Sequence, residues 1–172
     1  MNKWIIGARP RTLPAAIAPV VVAVAIAYPD FNFINALLAL IVGLALQIAV
    51  NYANDYSDGI KGTDTERIGP TRLVASGLAN AEEVKQAAIL AFGIGGVAGL
   101  YLSIRTSYWL IAIGAAAIIA AWRYTGGKNP YGYRGLGEVY VFIFFGLVAT
   151  IGTYYGQAGQ VGIEVIMAAI SN

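Results

Sequence analysis

Long apolar segments dominate this chain and indicate a membrane protein. A bilayer-spanning helix needs about 20 mostly apolar residues. Five segments of that kind are present, at roughly 12–28, 32–54, 83–103, 107–124 and 137–157, and a sixth begins near Val161. Only 12% of the residues are charged, about half the share in an average soluble domain. The sequence therefore predicts an all-α, polytopic transmembrane helical bundle that forms a single domain over residues 1–172.

Basic residues are distributed unevenly between the loops of this predicted bundle. Ten of the eleven lie before the first span or in and beside the second and fourth loops, and only Arg105 falls in the other loops. Short loops rich in Lys and Arg stay on the cytosolic side. The sequence thus predicts a multi-pass protein of the cytoplasmic membrane whose N-terminus faces the cytosol. A net charge of +2 is too small to indicate a nucleic-acid partner.

The N-terminal segment has an alternative interpretation as a cleavable signal peptide. Three basic residues precede an apolar run that ends in the small-residue triplet 25–27, which is the usual order in such peptides. Pro14 and Pro19 interrupt the run, however, and a proline kinks a membrane helix because it removes a backbone donor. We therefore expect a retained, kinked first helix.

Chemistry in this chain depends on acidic, amide and basic side chains, because the chain contains no cysteine and no histidine. Their absence excludes disulfides, zinc sites and Ser-His or Cys-His catalysis. Polar residues concentrate where the second span ends, in QIAVNYANDYSDGIKGTDTERIGPTRLVASG at 47–77. On a helical wheel of 100° per residue, five of them share an arc of about 100°. These are Gln47, Asn51, Asn54, Asp55 and Asp58.

This polar stripe is expected to face a protein interior or a water-filled cavity. An aspartate at mid-membrane costs about 2.5–3.5 kcal/mol on insertion scales, and the cost falls toward the interface. A solvated helix end would be a sufficient explanation for Asp58 alone. It does not explain polar residues that continue inward to Gln47.

The same region combines candidate metal ligands with candidate anion ligands. Asp55, Asp58 and the loop residue Asp64 offer hard oxygens of the kind that suits Mg²⁺, which shares its other positions with water and phosphate groups. The loop also supplies cations that can hold phosphate oxygens, namely Lys61, Arg67 and Arg72. Acids for a metal beside bases for an anion, at a membrane surface, indicate a lipid diphosphate.

The segment NDYSDGIKGTDTERIGPTRLVASG resembles the first aspartate-rich motif of the UbiA superfamily of intramembrane prenyltransferases. That pattern reads Asn-Asp-x-x-Asp, a third Asp, an Arg, and a second Arg before Ser-Gly. The matching positions are Asn54, Asp55, Asp58, Asp64, Arg67, Arg72, Ser76 and Gly77. The spacing between Asp58 and Asp64, ARPRTLPAAIAPV at 8–20 and YTGGKNPYGYRGLGEVYVFIFFG at 124–146 are similar to the branch that acts on 1,4-dihydroxy-2-naphthoate. Tyr124 and Lys128 match a Tyr-x-x-x-Lys element, and the resemblance covers essentially the whole chain.

The resemblance implies transfer of a polyprenyl group from polyprenyl diphosphate to 1,4-dihydroxy-2-naphthoate with decarboxylation, giving demethylmenaquinone for menaquinone biosynthesis. It implies Mg²⁺ on Asp55, Asp58 and Asp64, the first two being the catalytic residues. The implied diphosphate-binding residues are Lys61, Arg67, Arg72 and Lys128. The implied substrate-binding residues are Asn51, Asn54 and Tyr124. An allylic cation also needs dry, electron-rich walls, and the sequence does not choose among Tyr52, Tyr56, Tyr124, Tyr140, Phe144 and Phe145.

The chain departs from the family pattern in its later part. Family members usually have about nine transmembrane helices and a second aspartate-rich motif, whereas no aspartate follows Asp64 here. We therefore expect an N-terminal portion with little turnover by itself. Two alternatives are a protein completed by a separate chain that carries the missing C-terminal half, and an inactive fragment. Other possible functions are transfer to another aromatic acceptor, such as 4-hydroxybenzoate, and an ion path in a membrane transporter fragment.

Overall fold

The computed structural model describes residues 2–62, 70–127 and 129–171, and within these ranges every regular element is a helix. The predicted all-α bundle is confirmed. The α-helices are α1 (Lys3–Ala8), α2 (Pro14–Ala27), α3 (Phe33–Lys61), α4 (Ala81–Arg105), α5 (Trp109–Arg123), α6 (Gly137–Val141), α7 (Ala149–Ala158) and α8 (Ile163–Ser171). A π-helix, Phe142–Val148, joins α6 to α7, and short 3-10 turns cover Pro10–Thr12 and Tyr131–Arg134.

Three described helical segments are long and apolar enough to cross a membrane: Phe33–Lys61, Ala81–Arg105 and Gly137–Ala158. They match the second, third and fifth predicted spans. The first predicted span corresponds to a pair of helical segments, Lys3–Thr12 and Pro14–Ala27, which meet at 49°. The fourth corresponds to a 15-residue apolar helix, Trp109–Arg123. The chain is a multi-pass membrane protein, and the number of its spans stays a prediction.

Helix α3 is the central element of the bundle, and both of its ends are capped. The Asn32 side chain accepts a hydrogen bond from the Asn35 amide at 3.1 Å and begins the helix. Gly62 ends it in a left-handed conformation with φ of +68°, which glycine adopts without steric cost. Small residues let α3 approach α4 closely: a Cβ added at Gly95 would lie 3.4 Å from the Ala45 Cβ.

Helix α2 packs against α3, α7 and α8. Its buried face is formed by Ala16, Pro19, Val20 and Ala23. A Cβ added at Gly43 of α3 would lie 3.1 Å from the Ala16 carbonyl oxygen, so α2 and α3 touch along their backbones.

The two ends of the bundle differ in charge. Helix α1 and residues 70–80, 124–127 and 129–136 lie at one end, here called the basic end. Among the described basic residues, Arg105 lies at the opposite end, where its Nε donates to the Asn35 Oδ1 at 2.9 Å. The Asn35 Nδ2 donates in turn to the Gly156 carbonyl at 2.7 Å, which ties α3, α4 and α7 together.

Candidate active site

A narrow cavity of about 330 Å³ runs along α3 inside the bundle. Gln47, Asn51 and Asn54 line it toward the basic end, and apolar residues such as Ala39 and Leu102 line its far part. Ala39 and Asn54 lie 15 residues apart, which is roughly 22 Å along a helix axis. The cavity therefore suits an extended apolar chain with a polar group at the basic end.

An aromatic wall covers one side of this cavity. The ring of Tyr131 stacks on that of Tyr140 with centroids 3.8 Å apart, and Tyr140 stacks on Phe144 at 6.2 Å. Tyr124 meets Tyr131 edge to face at 5.4 Å. Phe145 also lines the cavity. The π-helix contributes to this arrangement because its wider turn places Phe144 and Phe145 together on the cavity side.

Two of the six aromatic residues that the sequence left open lie away from the cavity. The Tyr52 hydroxyl donates to the Trp4 carbonyl at 2.7 Å, and its ring meets Trp4 edge to face at 6.0 Å. Tyr56 faces Trp122, with ring centroids 6.3 Å apart. Tyr124, Tyr140, Phe144 and Phe145 all line the cavity.

Asp58 forms a buried ion pair one helical turn beyond the cavity lining. Its Oδ2 accepts from the Arg72 guanidinium at 3.2 Å, and the two side chains are 4% and 9% exposed. The Tyr133 hydroxyl also donates to the Asp58 carboxylate. The described loop residues that follow α3 thus place the Arg72 guanidinium beside the acidic end of the polar stripe.

Asn54 and Lys61 are joined through Thr125. The Thr125 hydroxyl donates to the Asn54 Oδ1 at 2.7 Å, and the Lys61 ammonium donates to the Thr125 carbonyl at 2.6 Å. Lys61 also lies 5.1 Å from the centre of the Tyr133 ring, within cation–π range. Asn54, Asp58, Lys61 and Arg72 therefore belong to one polar cluster at the basic end.

Asp55 faces the backbone of the described loop residues. It is 0% exposed. Its Oδ2 accepts from the Leu73 amide at 2.7 Å and its Oδ1 from the Val74 amide at 3.1 Å. Two backbone donors that would otherwise be buried without partners are satisfied in this way.

Asn51 and Gln47 bind the bend between α1 and α2. The Asn51 Nδ2 donates to the Ala8 carbonyl and to the Thr12 Oγ1, both at 2.9 Å. The Gln47 Nε2 donates to the same Thr12 oxygen at 3.1 Å. The polar stripe is thus turned into the protein as expected, and each of its members holds a neighbouring segment.

A family profile described as the UbiA prenyltransferase family matches residues 16–172. The chain belongs to this family. The match covers every described element from within α2 to α8, and it includes the polar stripe and the aromatic wall. The resemblance stated from the motifs is confirmed.

Relatives of this UbiA family chain include bacterial proteins named 1,4-dihydroxy-2-naphthoate octaprenyltransferase. The protein from Mycobacterium tuberculosis is 55% identical over 161 residues, which cover 92% of this chain and 55% of the relative. The one from Mycobacterium leprae is 53% identical, covering 98% and 58%. The one from Escherichia coli is 41% identical, covering 90% and 53%. The chain thus spans about half the length of the curated relatives it matches.

The donor set that this UbiA family chain offers to a metal ion is small within its described residues. No group of three acidic, histidine or cysteine side chains converges in the ranges 2–62, 70–127 and 129–171. Asp58 and Asn54 lie four residues apart on α3 and present hard oxygens of the type that Mg²⁺ prefers. This pair fits part of a magnesium site. Asp64, Arg67 and Lys128, which were also predicted to bind metal or diphosphate, lie outside the described residues.

Three residues that contact the polar stripe were not assigned a role from the sequence: Thr12, Thr125 and Tyr133. Thr125 and Tyr133 both fall within the segment at 124–146 whose resemblance was noted, so a signal for them was present. Thr12 carries no charge and precedes an apolar helix. Nothing in its sequence context indicates that two amides of α3 bind its hydroxyl.

Proposed function

We propose that this chain belongs to a 1,4-dihydroxy-2-naphthoate polyprenyltransferase and forms its diphosphate site and prenyl cavity. In this reaction the bond between the prenyl carbon and the diphosphate oxygen breaks. A new bond forms to the ring carbon that carried the carboxylate, and pyrophosphate and carbon dioxide leave. The product is a prenylated naphthalenediol, demethylmenaquinol, and a separate two-electron oxidation outside this reaction would convert it to demethylmenaquinone, a precursor of menaquinone.

One structural observation carries this proposal. A buried charged cluster, centred on Asp58 and Arg72, adjoins the polar end of a long apolar cavity with aromatic walls. This end, which Asn51 and Asn54 line, is called the cavity mouth. A polyprenyl diphosphate has the same division into a charged head and an apolar tail. The names of relatives that are 55% and 53% identical to the chain support the choice of acceptor.

Cationic residues at the mouth would hold the diphosphate. Arg72 offers a planar fork of N–H donors suited to phosphate oxygens, and Lys61 offers a compact point charge. Arg67 and Lys128 stay predicted members of this set. Asp58 and Asn54, with Asp64 as a predicted further ligand, would hold Mg²⁺. When bound, that ion supplies positive charge that offsets the charge on the leaving diphosphate.

The cavity would hold the prenyl tail and keep water from the reacting carbon. Its apolar lining excludes water, which strengthens electrostatic interactions at the mouth. The faces of Tyr124, Tyr131 and Tyr140 present the electron-rich surface that a developing allylic cation requires. Asn51 and Asn54 line the same polar end of the cavity and are proposed to contact substrate there.

The proposed site faces the cytosol in the cytoplasmic membrane. Eight of the nine described basic residues lie at the basic end, and loops rich in Lys and Arg remain on the cytosolic side. Water-soluble 1,4-dihydroxy-2-naphthoate would reach the site from that side, and the polyprenyl diphosphate would enter from the bilayer. The remaining half of the relatives' length is proposed to complete the site.

A chimera tests this function without assuming that the chain acts alone. Residues 1–172 would be joined to the C-terminal part of the Mycobacterium tuberculosis relative and reconstituted in liposomes with Mg²⁺. Pyrophosphate release and the mass of the prenylated product would be measured with 1,4-dihydroxy-2-naphthoate and, separately, with 4-hydroxybenzoate. Asp58→Asn is expected to reduce the rate about 10²- to 10³-fold, as the loss of a group that stabilises transition-state charge does. Asp30→Asn is the matched control at an exposed site.

The expected result is a decarboxylated, prenylated naphthalenediol that forms only when Mg²⁺ is present. Product from 4-hydroxybenzoate alone would reassign the acceptor. A chimera that makes no product under conditions where the intact relative does would overturn the proposal. Cation flux through liposomes that lack prenyl diphosphate would favour the transporter alternative.

A further inference from the structure

The described loop residues that follow α3 are seated against the helices with almost no free space. Leu73 is 0% exposed. A Cβ added at Gly7 of α1 would lie 2.6 Å from the Leu73 Cδ1, and one added at Gly59 of α3 would lie 2.6 Å from the Val74 Cβ. Two glycines therefore let the Leu73 and Val74 side chains of the loop approach α1 and α3 as closely as they do.

Asp55 supplies the polar contacts that hold the loop backbone on α3. Both of its carboxylate oxygens accept backbone N–H groups, from Leu73 and from Val74. Arg72 directly precedes these two residues, and its guanidinium reaches Asp58, one turn along α3 from Asp55. The position of the Arg72 backbone is thus fixed by Asp55, and the position of its side chain is fixed by Asp58.

This geometry does not favour Asp55 as a magnesium ligand. Mg²⁺ binds at about 2.0–2.1 Å and usually keeps several waters, so its ligands need open space beside them. Asp55 has no exposed surface, and the seated loop covers both of its oxygens. Asp58 is also buried, but it accepts from the side chains of Arg72 and Tyr133, which can rotate aside for an ion, whereas the backbone amides bound to Asp55 cannot.

We propose that Asp55 is a positioning residue that holds segment 72–74 on α3, so that Arg72 is presented to the diphosphate. This inference rests on the proposed function. A carboxylate is required because the segment offers two N–H donors. An asparagine accepts through one oxygen and would turn its own NH₂ group toward the second donor. The sequence-based assignment of Asp55 as a metal ligand is the competing hypothesis.

A single-cysteine reporter can measure the seating of the loop directly, because the chain contains no cysteine. Val74→Cys places one thiol at the contact with Gly59. Its rate of reaction with a maleimide would be measured on the 172-residue chain in nanodiscs. Mn²⁺ binding without diphosphate would be measured by electron paramagnetic resonance on the chimera that carries the C-terminal part of the Mycobacterium tuberculosis relative, with Mn²⁺ as an oxygen-seeking stand-in for Mg²⁺. Asp55→Asn, Asp58→Asn and Gly59→Ala would each be made in this background.

Gly93→Ala is the matched control for the glycine variant, because a Cβ at Gly93 meets no heavy atom within 4 Å. Asp55→Asn is expected to raise the labelling rate on the order of tenfold, the effect of removing one charge-assisted hydrogen bond. Its Mn²⁺ affinity should stay within about twofold of the parent. Gly59→Ala should raise the labelling rate without touching a carboxylate. Asp58→Asn should weaken Mn²⁺ binding and leave the labelling rate nearest to the parent.

Unchanged labelling in Asp55→Asn, or a loss of Mn²⁺ affinity as large as that of Asp58→Asn, would overturn the inference. Should Asp55→Asn not give a monodisperse protein, Asp55→Glu decides by the same two measurements, because the longer side chain keeps the charge but shifts the two oxygens away from the Leu73 and Val74 amides. Failure of the proposed function has a different signature. Mn²⁺ affinity would then be the same in Asp58→Asn as in the parent, while the labelling rates still report whether Asp55 seats the loop.

Discussion

Separating the buried ion pair between Asp58 and Arg72 costs free energy, because each charged group has lost its contact with water and is compensated by its partner. Removing one partner of a buried pair leaves an uncompensated charge, which typically costs about 3–5 kcal/mol. We expect Arg72→Met to lower the free energy of unfolding by an amount on that scale. The measurement is chemical unfolding of the 172-residue chain in detergent, monitored by tryptophan fluorescence.

Two further variants show whether this loss arises from the pair itself. The double variant Asp58→Asn with Arg72→Met removes both charges, so it should be less destabilised than Arg72→Met alone. Lys3→Met breaks the exposed pair with Glu83, whose side chains are 36% and 45% exposed, and should cost less than about 1 kcal/mol. An equal loss in Lys3→Met and Arg72→Met would contradict the assignment of a buried pair.

At the scale of elements, the 3-10 turn Tyr131–Arg134 inserts one phenol into the aromatic wall. Burial raises the pKa of Tyr131 to about 12, with smaller contributions from Tyr140 and Tyr124. Its hydroxyl donates to the Ala120 carbonyl at 2.8 Å, so it is held in the protonated form. The unfolded chain would release this proton near pH 10. The folded state therefore binds more protons between about pH 10 and 12, and stability should fall as pH rises through that window.

Tyrosinate absorbance in an alkaline titration tests this expectation. The chain has 11 tyrosines, and Tyr131→Phe should remove a component that titrates near pH 12 while leaving the earlier ones in place. Tyr108→Phe is the control, since Tyr108 is 73% exposed. If the latest component survives in Tyr131→Phe, the wall does not shield this phenol from water.

The polar stripe of α3 shows how much of the structure of one helix can be predicted from the sequence. A period of 3.6 residues identifies which side chains share a face, and all five members were predicted to turn away from lipid. What covers that face could not be predicted. Asn51 binds Ala8 and Asn54 binds Thr125, which lie 43 and 71 residues away. Periodicity carries no information about such distant partners.

The same limit applies to helices whose length or pitch departs from the average. Hydropathy predicted the span at 137–157 but not the π-helix Phe142–Val148 inside it. Hydropathy depends on which residues are present, and it does not distinguish a π turn from an α turn. The resemblance compensated where periodicity could not. It identified the segment at 124–146 that contains Thr125, Tyr131 and Tyr133, although it did not say which of these would meet α3.

On the scale of the whole molecule, the asymmetry of charge between the two ends predicts a single orientation. Cysteine labelling can measure it, since the chain has no native thiol. Ala75→Cys introduces an exposed thiol at the basic end, and Asp30→Cys introduces one at the opposite end. With the basic end in the cytosol, a membrane-impermeant maleimide should label Asp30→Cys in intact cells and Ala75→Cys only after permeabilisation. The reverse pattern would place the charged cluster on the outer surface. It would then be separated from a cytosolic supply of the proposed acceptor.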